Sequence, residues 1–265
     1  MYNYFQLASR YFSYYIKASN GKGHGIHSPF VFDFIINVLN DKKHYPAYHV
    51  VEGVRQKLIN DTSEITVNDF GAGSVTGKNS QRSVSSIAKN AAKPAKYGQL
   101  LYRMVQYYKP QTILELGTSL GITTSYMSLA KPGSDVITME GAPAITSKAS
   151  ENFRDLQLKN IEIVEGNFDT TLASVTDKMK AIDFAFLDGN HRGQPTINYF
   201  NRVLAKTNQF SIIVLDDIHW SSDMEEAWSE IKNHSSVKYS IDLFFIGILF
   251  FREDFKEQQH FAIRF

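Results

Sequence analysis

There is no cysteine among the 265 residues, which excludes disulfides, thiolate nucleophiles and cysteine-ligated zinc. An excess of either charge is missing too. Lys+Arg number 28 against 27 Asp+Glu, a formal net of +1, so the global electrostatic argument for nucleic-acid binding is absent, although a local basic patch is not excluded. No long apolar run occurs: the longest, residues 243–251, falls short of the ~20 residues a membrane-spanning helix needs. The opening MYNYFQLASRYFSYY lacks the apolar stretch and small-residue cleavage site of a secretory signal. A cytoplasmic protein without a membrane partner is the expectation. What is present is 43% apolar and 21% charged residue, an ordinary globular composition. The length suits one large domain, or one domain with a smaller extension, and can bury a full core.

The chain changes character near residue 93. Before it, Tyr4, Phe5, Tyr11, Phe12, Tyr15 and Ile16 recur at helical spacing. After a glycine-rich break at 21–25, Ser28 followed by Pro29 reads as an N-cap with proline in the first turn, opening a helix through FVFDFIINVLN. A third helical stretch covers about 48–58, and the polar residues 61–92 read as a loop. From residue 95, strands alternate with helices: TILEL, DVITME, IEIVE, IDFAFLD and FSIIVLDD are the strands, and IEIVE is joined to IDFAFLD by a short connection. The end is strand-like throughout (VKYSIDLFF, ILFF, HFAIRF), with a turn expected at Ile246-Gly247 and antiparallel pairing, because a parallel crossover needs a dozen or more residues. The fold class that follows is α/β, a doubly wound, mostly parallel sheet with antiparallel C-terminal strands. Residues 93–265 form that domain and residues 1–92 a helical extension or lid.

Two glycine-rich segments compete for the cofactor loop, VNDFGAGS at 67–74 and ILELGTSLG at 113–121. Only the second is followed at once by a helix and a strand, with Glu140 at that strand's carboxyl end, placed to accept ribose hydroxyls. The first is an ordinary glycine turn or a lid. The second segment departs from the three-glycine dinucleotide spacing and carries Glu115, which would repel a pyrophosphate and suits a cationic ligand. The loop therefore favours S-adenosylmethionine over NAD.

With these residues in view, 93–220 resembles the class I S-adenosylmethionine-dependent methyltransferases, and within them the catechol O-methyltransferase-like enzymes. The resemblance is carried by AKYGQLL, LELGTSLGITTSYM, ITMEG, FLDGNH and IVLDDIHW. It implies that Glu115, Gly117, Thr118 and Gly121 surround the methionine part of the cofactor, that Glu140 with Gly141 holds the ribose, and that Asn167 and Phe168 flank the adenine. Asp188 would border the cofactor as well.

Asp188 ends one strand, and Asp216 and Asp217 end the next. Ligands of open α/β sheets bind beyond the strands' carboxyl ends, so the three carboxylates are expected to face one crevice and hold a hard divalent cation such as Mg2+. The alternative is that Asp216 and Asp217 only cap the following helix. The similar enzymes carry asparagine where this chain has Asp217, and a catalytic lysine where it has His191. His191 is the expected catalytic base, with Asp188 beside it. The function implied is methyl transfer from S-adenosylmethionine to an oxygen of a small molecule, with no nucleic-acid partner and a homodimer left open. The alternatives are an RNA or protein methyltransferase, or a non-catalytic binding module. His24 and His27 at the glycine turn, His219 and Trp220 after the acidic pair, and Lys78 and Arg82 in the polar segment are weaker candidates.

Overall fold

The computed structural model describes residues 1–68, 79–90 and 93–265. Helix α1 spans Tyr4–Lys17, and Asn3 and Gln6 cap its start reciprocally. Ser28 accepts the amide of Val31 and Pro29 occupies the first turn, so α2 (Pro29–Phe34) begins where expected, then continues as a π-helical stretch, Ile35–Leu39. Helix α3 follows at Pro46–Ile59, then β1 (Glu64–Asn68), β2 (Asn79–Ser83), α4 (Val84–Asn90) and α5 (Ala95–Tyr108). The alternating region then runs β3 (Thr112–Leu116), α6 (Ile122–Ala130), β4 (Asp135–Glu140), α7 (Pro143–Asp155), β5 (Ile161–Glu165), α8 (Phe168–Lys178), β6 (Phe184–Leu187), α9 (Gly193–Leu204), β7 (Ile212–Asp216) and α10 (Ser222–Lys232). It closes with β8 (Tyr239–Asp242), β9 (Ile246–Phe250) and β10 (Gln259–Ala262).

This is a Rossmann-like α/β fold with a central, mostly parallel sheet, mixed edge strands and helices that precede the sheet in sequence. The chain divides into two compact units, Met1–Asp41 with Leu172–Phe265, and Lys42–Thr171. The change of sequence character at residue 93 falls inside the second of these.

In the Lys42–Thr171 unit, β3, β4 and β5 are parallel neighbours, and β1 and β2 form a separate antiparallel hairpin. The helix α5 stops at Lys109, whose φ of 53° takes it out of the helical region. Gly98 brings α5 against α6, because a Cβ there would lie 2.6 Å from the Tyr126 ring. Tyr126, Leu100, Leu101, Met104 and Ile113 are the largest wholly buried side chains of this unit. Each such side chain contributes ~1.5–3 kcal/mol on transfer from water.

In the other unit the strand order is β10-β8-β9-β7-β6. Strands β6, β7 and β9 are buried along their whole length, as their uninterrupted apolar runs require. Helix α1 buries none of its residues, and Phe5 and Phe12 stay largely exposed on it. It is tied down by polar contacts and ring packing: the Arg10 guanidinium and the hydroxyl of Tyr2, just before the helix, reach Glu225 at 2.5 and 3.0 Å, the Arg264 side chain donates to the Tyr15 carbonyl at 2.7 Å, and the Tyr11 and Tyr14 rings lie 5.0 and 5.3 Å from the Phe244 ring.

Four expectations need correction. Residues 61–92 are not simply loop, since they contain β1, β2 and α4. Val84, Ile87 and Ala88 of α4 are buried at helical spacing, a short pattern masked by the polar residues around it. The connection after β5 is the helix α8. The terminal turn lies at 243–245, where Phe244 takes a φ of 70° and Leu243 donates to the Ile246 carbonyl. Gly247 is inside β9 because Trp228 packs on it, 2.6 Å from where a Cβ would stand. Finally, β9 pairs antiparallel with both β7 and β8 as expected, but β10 pairs parallel with β8. Strand β9 itself reverses the chain, so β10 runs in the direction of β8 on its other side.

Candidate active site

The loop between β3 and α6 is held by backbone geometry that glycine alone supports well. Gly117 and Gly121 have φ of 102° and 78°, and a Cβ on Gly121 would lie 2.5 Å from the Phe153 ring. The amides of Gly117 and Thr118 both donate to the Met139 carbonyl, at 3.0 and 3.1 Å. Asn152, buried on α7, donates its amide to the Leu120 carbonyl at 2.9 Å. The loop is thus pinned to β4 and α7 before any ligand arrives.

Glu115 lies beneath the loop with no solvent exposure. Its Oε2 accepts from the Thr124 hydroxyl and, at 2.6 Å, from the Thr138 hydroxyl. Its Oε1 has no hydrogen-bond partner among the described residues. Burial pushes this carboxyl up to about 7; the two threonine hydroxyls oppose the rise and the neighbouring Glu140 charge adds to it. A buried acceptor left without a donor is costly, and a cationic amino group at Oε1 would satisfy it. Glu140, at the end of β4, accepts the Ser119 amide on Oε2 at 2.9 Å and the Ala142 amide on Oε1 at 3.0 Å. These two amides fix its orientation. Gly141 follows it, half-buried. Asn167 and the first residue of α8, Phe168, are also half-buried. Asn167 starts that helix: its side chain accepts the Asp169 amide and its carbonyl accepts the Thr171 amide. The residues expected to hold the cofactor, apart from Asp188, all belong to the Lys42–Thr171 unit. The donor groups found to hold them (Ser119, Ala142, Thr124, Thr138) carried no sequence signal, because two are backbone amides and two are ordinary threonines.

Asp188, His191, Asp216 and Asp217 belong to the other unit. Asn190 and His191 both take left-handed backbone, φ 71° and 44°, so the chain turns back sharply after β6. The Asn190 amide donates to the Tyr199 hydroxyl at 2.9 Å, and the Gly193 amide donates to Asp223, which holds the turn against α9 and α10. This places His191 Nε2 3.6 Å from Asp188 Oδ1 and His191 Nδ1 3.8 Å from Asp217 Oδ2. One ligand atom each from Asp188, His191 and Asp216 falls within 4.8 Å of the others. Asp216 is 1% exposed. Among the described residues this is the one metal-ligand cluster of three, and neither His24 nor His27 belongs to such a group.

His219 is clamped between Glu225 (3.0 Å) and Asp242 (2.8 Å) and stacks on Phe244. Burial opposes its charge, but the two carboxylates outweigh it and raise its pKa. The carbonyl of Trp220 accepts the Tyr2 amide. Arg82 lies in β2. Residues 69–74 of the VNDFGAGS segment, and Lys78, lie outside the described residues.

A methyltransferase-domain family matches residues 114–218. The SAH-bound Podospora anserina methyltransferase PaMTH1 superimposes with a TM-score of 0.59 at 12% identity, covering 96% of this chain and 99% of that one. The fold is that of the class I S-adenosylmethionine-dependent methyltransferases. An O-methyltransferase from Bacillus cereus in complex with SAH gives 0.53 at 19% identity, covering 83% and 97%. In sequence, a tRNA (guanine-N(7)-)-methyltransferase of Mycoplasma mobile is 34% identical over 80 residues, 30% of this chain and 40% of its own. An uncharacterized protein of Acanthamoeba polyphaga mimivirus is 28% identical over 131 residues, 45% of this chain and 58% of its own. The chain thus spans about half the length of the curated relatives it matches.

Proposed function

We propose that the protein transfers the methyl group of S-adenosylmethionine to an oxygen of a small molecule, assisted by a divalent cation. The observation that carries this reading is the pair of carboxylates at the ends of β3 and β4. Glu115 has a buried, unsatisfied oxygen suited to a cationic amino group, and Glu140 is held in place by the backbone amides of Ser119 and Ala142. In this reading Gly117, Thr118 and Gly121 shape the bed of the methionine part, Gly141 lets the ribose approach, and Asn167 and Phe168 border the adenine.

In the reaction the O–C bond forms as the C–S bond breaks, the sulfonium becomes a neutral thioether, and the acceptor hydroxyl gives up one proton. The protein's tasks are alignment of the acceptor and removal of that proton. Asp188, His191 and Asp216 fit a divalent ion, which when bound supplies Lewis acidity toward the acceptor hydroxyl. Asp188 and His191 are the polar groups of this cluster proposed to face the acceptor.

Glu140→Ala tests the cofactor half. Two charge-assisted hydrogen bonds are lost, each worth ~1.5–3 kcal/mol at most. S-adenosylhomocysteine affinity, measured by calorimetry, should fall at least about tenfold with the circular dichroism spectrum unchanged. Undiminished affinity would remove Glu140 from the site. A second reading, transfer to RNA, is favoured by the similarity to the tRNA methyltransferase alone. Methyl incorporation into bulk tRNA, compared with a panel of small hydroxylated compounds, separates the two.

A further inference from the structure

We propose that the outward side of α1 is the surface on which two copies of this chain pair, helix against helix, about a two-fold axis.

At 3.6 residues per turn, Tyr4, Phe5, Ala8, Phe12, Tyr15 and Ile16 occupy one continuous arc of about 120° on α1. A helix ordinarily turns an apolar stripe of that width toward a core. This one faces solvent: Tyr4 is 92% exposed, Phe5 89%, Phe12 65% and Ile16 60%. The attachments lie on the other side of the helix. Arg10 reaches Glu225, the Tyr11 and Tyr14 rings pack on Phe244, and the Tyr14 hydroxyl donates to the Asp242 carbonyl at 3.2 Å. The helix is therefore held in place, with its aromatic stripe presented outward. A 14-residue helix is marginal by itself in water, and aromatic residues add little helix propensity. Burial of the stripe is the stabilisation that α1 lacks within one chain.

A second copy fits this stripe in area and in charge. An aromatic side chain offers ~150–250 Å² for burial. At the exposures above, the stripe leaves roughly 700 Å² in water, more than the ~300–600 Å² of the largest apolar patch on a typical monomer. Covered on both copies, it would remove about 1,400 Å², within the ~1,200–2,000 Å² of a stable interface. The stripe contains no charged residue, so it meets its own copy with no like charges opposed. Tyrosine and phenylalanine are also the residues enriched at interface cores. A lipid surface suits α1 less well. Helices that lie on membranes are rich in Lys and Arg, whereas α1 has only Arg10 and Lys17, and Arg10 is engaged by Glu225 and the Tyr2 ring.

The test is sedimentation velocity of the full chain over a concentration series. The wild type is expected to sediment at twice the 30.1 kDa chain mass at micromolar concentration. The double variant Phe5→Glu/Phe12→Glu should weaken association at least about a hundredfold, because it puts four carboxylates into the apolar contact. Its circular dichroism spectrum should match the wild type, since both side chains are exposed in the single chain. Phe210→Glu, at an exposed aromatic outside α1, should leave the dimer as it is. A wild type that stays monomeric, a dimer that survives the double substitution, or an equal loss in Phe210→Glu would each overturn the proposal. A monomer that instead co-sediments with phosphatidylserine-containing vesicles would assign the stripe to a membrane surface and overturn it as well.

Discussion

His191→Asn is expected to lower turnover by ~10²–10⁴-fold, the range of effects that follow loss of a group acting directly on the transferred proton or of Lewis-acid assistance. The variant should keep wild-type affinity for S-adenosylhomocysteine, because the residues proposed to hold the nucleoside are Glu115, Glu140 and their neighbours in the Lys42–Thr171 unit. The assay is S-adenosylhomocysteine production with whichever compound of a hydroxylated small-molecule panel the wild type methylates. Turnover within a few-fold of wild type would leave His191 outside the chemistry. A large loss of turnover with metal binding intact would make the imidazole the proton acceptor and not a ligand.

The second large effect concerns Glu115. Its carboxyl is raised by burial from the ordinary value of 4.5 to about 7, so between these pH values the native state holds a proton that the unfolded chain has already lost. Stability from this group is therefore fully present below about pH 4.5 and is lost as pH rises through about 7. A cationic amino group at Oε1 stabilises the ionised form, so binding must expel the proton wherever the free protein still carries it. S-adenosylhomocysteine affinity should climb as pH rises toward about 7 and level off above it, with proton release visible as a buffer-dependent calorimetric enthalpy. Glu115→Gln should abolish both the pH dependence and the proton release, and weaken binding about ten- to a hundredfold at alkaline pH, the loss of one charge-assisted hydrogen bond. It should also make the ligand-free protein more stable than wild type above pH 7, since a neutral amide carries no buried charge. Affinity that is flat with pH in the wild type would place the ligand's amino group elsewhere.

Much of the parallel core could be read from the chain because short apolar-rich runs of strand length alternate with helical stretches. TILEL, DVITME and IEIVE coincide with β3, β4 and β5 as read. Ser28-Pro29 opens α2 for the same local reason, a side-chain cap and a pre-set φ. What escaped reading depends on partners distant in sequence. Gly247 looks like a turn residue and is a strand residue, because Trp228 on α10 needs the space. The β1–β2 hairpin carries no long apolar run, and its register, Glu64 opposite Ser83, is set across a segment without periodicity. Helix α8 was hidden in polar sequence: its buried residues are only Leu172, Val175 and Thr176.

The candidate site shows the same division. The acidic residues at strand ends were legible, because a sheet delivers them to one edge by construction. The placing of His191 beside Asp188 was read from their spacing, but the approach of its other ring nitrogen to Asp217 was not, since it depends on two consecutive residues taking positive φ in the turn after β6. The burial of Glu115 and its threonine partners likewise depends on α6 and β4 closing over β3.

The central claim, that this fold binds and uses S-adenosylmethionine, is tested most directly by titrating S-adenosylhomocysteine into the purified full chain by calorimetry, with NAD as the control nucleotide. The account predicts saturable binding of one S-adenosylhomocysteine per chain and none of NAD. An absence of S-adenosylhomocysteine binding by a folded sample, or equal binding of NAD, would contradict it.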